Sequence, residues 1–194
     1  MQLVVATSNP GKLKELQKYL GDCLEDSNWD LVLKPQELDV EETGNTFAAN
    51  ARLKASEIAI ATNNWAIADD SGLQVDALNG APGVYSARYG ANDSERIARL
   101  LKELGQETNR KAQFACAIAI ARPDGSVALE SEGVCRGEIL HETRGDGGFG
   151  YDPIFFVPDS QLTFAQMSSE VKRSISHRGK ALASLIPQLE KLKP

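Results

Sequence analysis

The N-terminal strand-turn-helix pattern restricts the fold more than any other feature of this sequence. A short apolar run passes directly into the polar stretch TSNPGK at residues 7–12, and leucines at helical spacing follow. We predict a buried strand over residues 2–7 and a helix over residues 11–22, with Gly21 as its stop. A strand joined this closely to an amphipathic helix is typical of a mixed α/β fold.

The rest of the chain alternates between strand and helix patterns joined by short connections. Strand patterns occupy residues 29–34, the two halves of 65–78 on either side of an acidic turn, a hairpin over 111–139, and residues 154–157. Helix patterns occupy residues 46–63, 93–104 and 168–192, the last with a break near His177 and a kink or interruption at Pro187. These patterns predict a single α/β domain over residues 1–194.

Composition and charge exclude several classes of protein. The net charge of −6 argues against a nucleic-acid or anionic-membrane surface, because both need a clustered excess of basic residues. Cys23, Cys116 and Cys135 are too widely spaced for a disulfide framework, and the apolar surroundings of Cys116 predict a buried thiol. No apolar run approaches the roughly 18 residues of a membrane span, and no secretory signal is visible, so we expect a cytoplasmic protein.

The stretch TSNPGK resembles a phosphate-binding loop that has lost half its length. A Walker A loop needs a further glycine upstream of its Gly-Lys pair, and that glycine is missing here. A strand that turns into a helix nevertheless directs backbone N–H groups and the positive helix end towards one point. We interpret this stretch as a phosphate turn, and the alternative is a helix cap with a solvated lysine. The residues concerned are Thr7, Ser8, Asn9, Pro10, Gly11 and Lys12.

Two adjacent carboxylates, Asp69 and Asp70, follow the apolar residues 65–68. Two ionised carboxylates are costly to place side by side without a partner. A Mg²⁺ ion takes such oxygen ligands beside a phosphate substrate, and Glu41 or Glu42, just before a helix pattern, would complete the site. The alternatives are an Asx turn or helix cap for the aspartates and a solvated loop for the glutamates.

Two further segments offer contacts for a planar base and for anions. The glycines of residues 145–150 allow a backbone to approach a ligand closely, and Phe149 and Tyr151 offer rings that stack on a base. A basic segment contributes Lys172, Arg173, His177, Arg178 and Lys180. Taken alone, each segment also fits a surface loop or a solvated helix end. Together with the phosphate turn and the acidic pair, they indicate a nucleoside triphosphate and Mg²⁺.

Five motifs in a fixed order carry a resemblance to a known family. They are TSNPGK, EETGNTFAANARLKA, ADDSGLQVDALNGAPGVYSARY, GGFGYDPIFFVP and SISHRGKAL, and together with the first strand they span residues 4–182. The chain resembles the inosine triphosphate pyrophosphatase family, whose RdgB-type bacterial members hydrolyse dITP, ITP and XTP. The resemblance implies an elongated mixed β-sheet with flanking helices, two lobes around a substrate cleft, and a homodimer. It also implies the Mg²⁺-dependent reaction NTP + H₂O → NMP + pyrophosphate, which cleanses the nucleotide pool.

The resemblance also implies roles for individual residues. It assigns catalysis to Asp70 as the general base, assisted by Asp69, Lys12 and Lys54, and it assigns the metal to Glu42 and Asp70. Phosphate binding falls to residues 7–12, where Pro10 would stiffen the turn by fixing φ. The remaining substrate contacts fall to Ser71, Phe149, Gly150, Tyr151, Asp152, Lys172, His177 and Arg178.

Two other functions stay open at this point. A pyrophosphatase for modified pyrimidine triphosphates would share the sheet and differ in the base-facing residues 147–152 and 176–178. A non-enzymatic nucleotide sensor would keep Lys12 and the basic segment but would have little use for Asp69 and Asp70. A P-loop kinase or ATPase is disfavoured because the Walker spacing fails.

Overall fold

The computed structural model describes residues 1–24 and 29–192. The strands are β1 (Gln2–Val5), β2 (Asp30–Leu33), β3 (Trp65–Val75), β4 (Lys111–Ala121), β5 (Val127–Ile139), β6 (Phe155–Val157) and β7 (Leu162–Thr163). Within the described residues they form one sheet in the order β2-β1-β3-β4-β5-β6-β7. Strand β1 pairs in parallel with β2 and β3, whereas β6 pairs antiparallel with β5 and β7. The predicted mixed sheet is confirmed, with β7 as an unforeseen short strand.

Five α-helices lie in the described part of the chain. They are α1 (Pro10–Leu24), α2 (Phe47–Thr62), α3 (Asp93–Leu104), α4 (Ser169–Ile175) and α5 (His177–Leu189). Thr46 caps α2 by accepting a hydrogen bond from the N–H of Ala49 at 3.1 Å, at the start that the sequence predicted. The predicted break near His177 is also confirmed, since Ser176 separates α4 from α5. Of these described helices, none is long and apolar enough to cross a membrane.

The predicted stop at Gly21 and an interruption at Pro187 are wrong, while a kink at Pro187 stays a prediction. Helix α1 continues through Gly21 to Leu24, because a glycine inside a helix costs only about 1 kcal/mol. Helix α5 continues through Pro187 to Leu189. So close to a helix end, the missing proline N–H removes little of the hydrogen-bond ladder, and Leu189 is fully buried.

The acidic pair does not form the predicted turn. Strand β3 runs without a break from Trp65 to Val75 and carries Asp69 and Asp70 within it. Both aspartates are buried, with exposures of 1% and 4%. The prediction rested on the cost of two adjacent carboxylates without a partner. Lysines from other elements supply the compensating charge instead, so the backbone has no reason to turn.

The described chain divides into two compact units. The first comprises Met1–Asp70, Cys116–Glu132 and Ala181–Pro194, and the second comprises Ser71–Ala115 and Gly133–Lys180. Leucine and isoleucine side chains form one apolar cluster of the first unit, and alanines of α2 form another with β1, β3 and β4. Phe114, Phe155 and Phe164 lie in the core of the second unit. Two units agree with the two lobes that the resemblance implied, while the cleft and the single folding domain stay predictions.

Candidate active site

The stretch predicted to bind phosphate forms the cap and first turn of helix α1. The Oδ1 atom of Asn9 accepts hydrogen bonds from the N–H groups of Gly11 at 2.9 Å and Lys12 at 3.1 Å. Thr7 Oγ1 accepts from the N–H of Asn9 at 3.2 Å. Pro10 occupies the first helical position, where a missing N–H costs no helical bond. The geometry is that of a helix cap, and phosphate binding by this turn stays a prediction that depends mainly on the Lys12 ammonium.

Lys12 reaches the acidic pair of strand β3. The parallel pairing of β1 and β3 sets Val5 opposite Ile67, so the turn after β1 begins beside the acidic pair. Lys12 Nζ lies 3.3 Å from Asp69 Oδ2 and 3.9 Å from Asp70 Oδ1. Opposite charges attract more strongly in such a poorly solvated place than in water. The lysine therefore offsets part of the cost of burying the two carboxylates.

Helix α2 supplies a second lysine. Lys54 Nζ donates a hydrogen bond to Glu42 Oε1 at 2.6 Å and lies 3.7 Å from Asp70 Oδ1. Burial is the largest influence on Lys54 and by itself would lower its pKa. The carboxylates Asp70, Asp69 and Glu42 together outweigh burial, so the pKa of Lys54 is raised above its ordinary value. Lys54 is therefore a cation at neutral pH.

Asn50 is a site residue that the sequence reasoning missed. Its side chain is fully buried; Nδ2 donates to Asp70 Oδ2 at 2.9 Å, and Oδ1 accepts from the N–H of Gly44 at 2.7 Å. A Cβ atom on Gly44 would lie only 2.6 Å from Asn50 Oδ1, so this approach requires glycine. Asn50 lies one helical turn before Lys54, on the buried side of α2. A polar residue among alanines was the signal available in the sequence.

The two oxygens of Asp70 face different groups. Oδ2 accepts from Asn50, whereas Oδ1 is the oxygen nearest to the ammonium groups of Lys12 and Lys54. Burial is the largest influence and raises the pKa of Asp70. Lys54, Lys12 and the Asn50 hydrogen bond oppose burial only in part, so the pKa stays above its ordinary value. A buried carboxyl of raised proton affinity among fixed charges is typical of a general base.

The carboxylates around Asp70 fit Mg²⁺ in their chemistry. Glu42, Asp69 and Asp70 offer the hard oxygen ligands that this ion prefers. In residues 1–24 and 29–192 no three His, Cys, Asp or Glu side chains lie together as a preformed metal centre. Mg²⁺ commonly uses one or two carboxylates and completes its coordination with phosphate oxygens and water. The arrangement thus fits an ion that arrives with a phosphate substrate, and the assignment to Glu42 and Asp70 stays a prediction.

In the second unit, a buried carboxylate holds the glycine-rich loop. Asp152 Oδ2 accepts hydrogen bonds from the N–H of Phe149 at 2.9 Å and from Lys172 Nζ at 2.6 Å. Gly148 has a φ of +74°, and a Cβ atom there would lie 2.0 Å from Asp152 Oδ2. Only glycine permits this backbone to come so close to the carboxylate.

The two rings predicted to stack on a base lie in different settings. Phe149 is half-buried, and Lys172 Nζ lies 4.9 Å from the centre of its ring. Tyr151 is only 3% exposed, and its hydroxyl donates to the carbonyl of Ser86 at 3.0 Å. Burial accordingly raises the pKa of Tyr151. Stacking of a base on the half-buried Phe149 stays a prediction, whereas Tyr151 is part of the core.

Two residues of the basic segment, Arg178 and His177, also lie in different settings. Arg178 is buried, and its Nη2 donates to Ser71 Oγ at 2.9 Å. The ring of His177 is also buried and stacks on Phe114, with centroids 4.8 Å apart and planes 11° from parallel. Phe114 covers one face of the imidazole, so a substrate contact through that face is excluded. Ser71 and Arg178 are brought together, and His177 is part of an aromatic stack.

Most of the predicted residues, together with Asn50, form two groups and a pair. The acidic-strand cluster, in the first unit, consists of Lys12, Glu42, Asn50, Lys54, Asp69 and Asp70. The glycine-loop cluster, in the second unit, consists of Phe149, Gly150, Asp152 and Lys172. Arg178 and Ser71 form the pair. Ser8 is exposed at the tip of the phosphate turn.

Comparison with known proteins places this chain in a family. The sequence profile of the Ham1 family matches residues 3–188. A dITP/XTP pyrophosphatase of Nostoc sp. is 69% identical, covering 96% of this chain and 93% of that protein. Another, from Synechocystis sp., is 59% identical with coverages of 98% and 96%. The solved Ham1 protein of Staphylococcus aureus is 43% identical with a TM-score of 0.86 and covers 100% of both chains. The resemblance carried by the five motifs is confirmed, and the chain belongs to the Ham1 family.

Proposed function

We propose that this protein hydrolyses the non-standard purine nucleoside triphosphates ITP, dITP and XTP to the monophosphate and pyrophosphate. The observation that carries the proposal is Asp70, a buried carboxylate with Oδ1 close to two lysine ammonium groups. The dITP/XTP pyrophosphatase activity named for relatives at 69% and 59% identity supports the same substrates. Removal of these nucleotides before a polymerase uses them would cleanse the nucleotide pool.

The reaction requires a water molecule to attack the α-phosphorus. The water oxygen forms the new bond, the bond to the oxygen bridging the α- and β-phosphorus atoms breaks, and pyrophosphate leaves. Asp70 orients this water and accepts its proton on Oδ1, because Asn50 occupies Oδ2. The charges that build up on the phosphoryl oxygens then need cations close by.

Lys12 and Lys54 supply two of these cations on rigid elements. Lys12 is held by the cap of α1, and Lys54 projects from α2 towards Asp70. We assign both lysines to the triphosphate oxygens. When bound, Mg²⁺ supplies further charge neutralisation there, with Glu42 and Asp70 as its protein ligands. Asp69 holds Lys12 in place from the neighbouring position on β3.

We assign selection of the base to residues of the second unit. Phe149 offers a ring on which the purine stacks, while Lys172 and Asp152 fix the loop. We assign the donor to O6 of hypoxanthine or xanthine to Arg178, whose Nη2 also bonds Ser71, or to a nearby backbone N–H. Adenine presents an amino donor at this position, and a mismatch between buried donors discriminates by about 10⁴-fold.

A homodimer in the cytoplasm is the assembly and location that we propose. The five sequence motifs support both, through the family that they resemble. Light scattering on the purified protein tests the assembly: about twice the 21.0 kDa chain mass is expected, and the mass of one chain would contradict it.

The activity is tested with a panel of nucleotides and a product assay. The protein is incubated with Mg²⁺ and ITP, dITP, XTP, ATP, GTP or a methylated pyrimidine triphosphate, and pyrophosphate and orthophosphate are measured separately. Pyrophosphate from the first three, with little from ATP or GTP, is expected. Orthophosphate alone, or no turnover, would overturn the proposal. Preference for the methylated pyrimidine triphosphate would show that the substrates are modified pyrimidine nucleotides and not non-standard purine nucleotides.

A further inference from the structure

Asp93 connects helix α3 to the glycine-rich loop. It is the first residue of α3, and its Oδ2 atom accepts a hydrogen bond from the N–H of Gly150 at 2.7 Å. Its other oxygen, Oδ1, accepts from Arg96 Nη1 at 2.6 Å. Arg96 is itself held, because its Nε donates to the carbonyl of Gly90 at 3.1 Å. Both carboxylate oxygens are engaged, so the side chain is fixed in the direction of the loop.

The contact from Asp93 falls on the residue next to Phe149. The N–H of Phe149 is held by Asp152 and the following N–H, of Gly150, by Asp93. Gly150 has a φ of +63°, and a glycine can leave this conformation easily because it has no Cβ atom to restrict its backbone. Two consecutive N–H groups tied to two carboxylates from different parts of the unit fix the backbone from which the Phe149 ring projects.

Capping of α3 does not account for Asp93. The N-cap is Asn92, whose Oδ1 accepts from the N–H of Glu95 at 2.9 Å. Glu95 in turn accepts from the N–H of Ala91 at 3.0 Å, and it already places a negative charge in the first helical turn. The helix start is therefore satisfied by its neighbours, and the distinguishing contact of Asp93 is the one to Gly150.

We propose that Asp93 is a positioning residue for base recognition: by holding the Gly150 N–H it fixes Phe149 for stacking on the purine. This role rests on the proposed function, in which Phe149 faces the base. Asp93 acts through the loop and touches neither the substrate nor the reacting phosphorus. It therefore controls the affinity for the substrate, while the chemical step belongs to the acidic-strand cluster.

Steady-state kinetics with dITP test this role. Asp93→Ala should raise KM by about 10-fold or more, the usual value of a hydrogen bond to a charged group, with kcat nearly unchanged. Asp93→Asn keeps the shape and a neutral acceptor, so its KM should lie between those of the alanine variant and the unmodified protein. The matched control is Glu95→Gln, which removes a first-turn charge of the same helix but no loop contact, and it should keep the original KM.

Amide hydrogen exchange at Gly150 gives a second readout that does not depend on activity. Asp93→Ala should speed exchange at this N–H by about 10-fold or more, and Glu95→Gln should leave it unchanged. Unchanged protection of Gly150 in Asp93→Ala, or a KM equal to that of Glu95→Gln, would overturn the proposal. The positioning role fails, and the proposed function stands, if the unmodified protein releases pyrophosphate but the Asp93 variants have the same KM and the same Gly150 exchange rate as Glu95→Gln.

Discussion

The acidic-strand cluster and the glycine-loop cluster use buried carboxylates in different ways. Asp70 faces the ammonium groups of Lys12 and Lys54 and accepts from an amide side chain. Asp152 accepts from the backbone N–H of Phe149 as well as from Lys172. At Asp70 burial outweighs the lysines and raises the pKa, which favours uptake of a proton. At Asp152 the bond from a backbone N–H makes the carboxylate part of the loop structure. The first cluster is organised for charge chemistry and the second for holding a shape.

The largest effect is expected from Asp70→Asn. The amide cannot accept a proton from water, so kcat for pyrophosphate release should fall by about two to four orders of magnitude. The free energy of unfolding should change little, because burial already disfavours the charge on Asp70 and raises its pKa. Kinetics and urea denaturation on the same preparation measure both.

The control for that variant is Glu130→Gln. Glu130 pairs with Arg52 at an exposed position of the same unit. Among the described residues, no hydrogen bond or ion pair found for Glu130 joins it to the acidic-strand cluster. The kcat of Glu130→Gln should equal that of the unmodified protein. A near-normal kcat in Asp70→Asn would remove Asp70 from the role of base.

The next largest effect is expected from Lys172→Met, which breaks the ion pair of the glycine-loop cluster. The Lys172 and Asp152 side chains are only 12% and 4% exposed, and a buried carboxylate that loses its cation costs about 3 kcal/mol. Urea denaturation should show this loss, and KM for dITP should rise because the loop loses its anchor. Unchanged stability together with a large fall in kcat would contradict the division of roles between the clusters.

Asn50→Ala should cost an amount of stability similar to that of Lys172→Met, but less activity than Asp70→Asn. The substitution removes the Asn50 partner of the Gly44 N–H and of Asp70 Oδ2. Each buried polar group that loses its hydrogen bond lowers the free energy of unfolding by about 1–3 kcal/mol. The loss of kcat should be smaller than in Asp70→Asn, because the base remains but is less well oriented. Thr62→Val on the same helix, whose hydroxyl donates only to the carbonyl of Ile58, serves as the comparison. Equal effects of the two variants would show that Asn50 has no special role.

The smallest expected effect is a shift in the pH dependence of kcat/KM. Burial first, and then Glu42, raise the pKa of Asp70 against the opposing charges of Lys54 and Lys12. The acid limb of kcat/KM should therefore have its midpoint above the ordinary carboxyl range, with activity gained as pH rises through it. The Asn50 hydrogen bond lowers the pKa of Asp70, so in Asn50→Ala the midpoint should move to higher pH. A midpoint at or below that of the unmodified protein would contradict this assignment.

The stability contributed by Asp70 and Lys54 should fall with rising pH in both cases, but in different pH ranges. The raised pKa of Asp70 means that the folded protein binds this proton more tightly than the unfolded chain does. Stability from Asp70 is therefore lost as pH rises from the ordinary carboxyl range to the raised value. The raised pKa of Lys54 gives stability that is complete below its unfolded value and is lost only as pH rises through the folded value.

Much of the fold followed from local patterns in the sequence. The start of α2 after Thr46, the break before His177 and the hairpin of β4 and β5 were all predictable, because caps, turns and periodicity are properties of neighbouring residues. The stop at Gly21, the interruption at Pro187 and the turn at the acidic pair were predicted wrongly. At the acidic pair, charge from lysines distant in the sequence outweighed the local preference.

The sequence by itself determined the family, through five ordered motifs, and the residue types that the chemistry needs. Only the tertiary structure decided which of them meet. It kept Asp69 and Asp70 inside a continuous strand, joined Asn50 to Asp70, and placed Tyr151 and His177 in the core. The physical reason is that burying a charged or polar side chain depends on partners remote in sequence, and a local pattern carries no information about their distance.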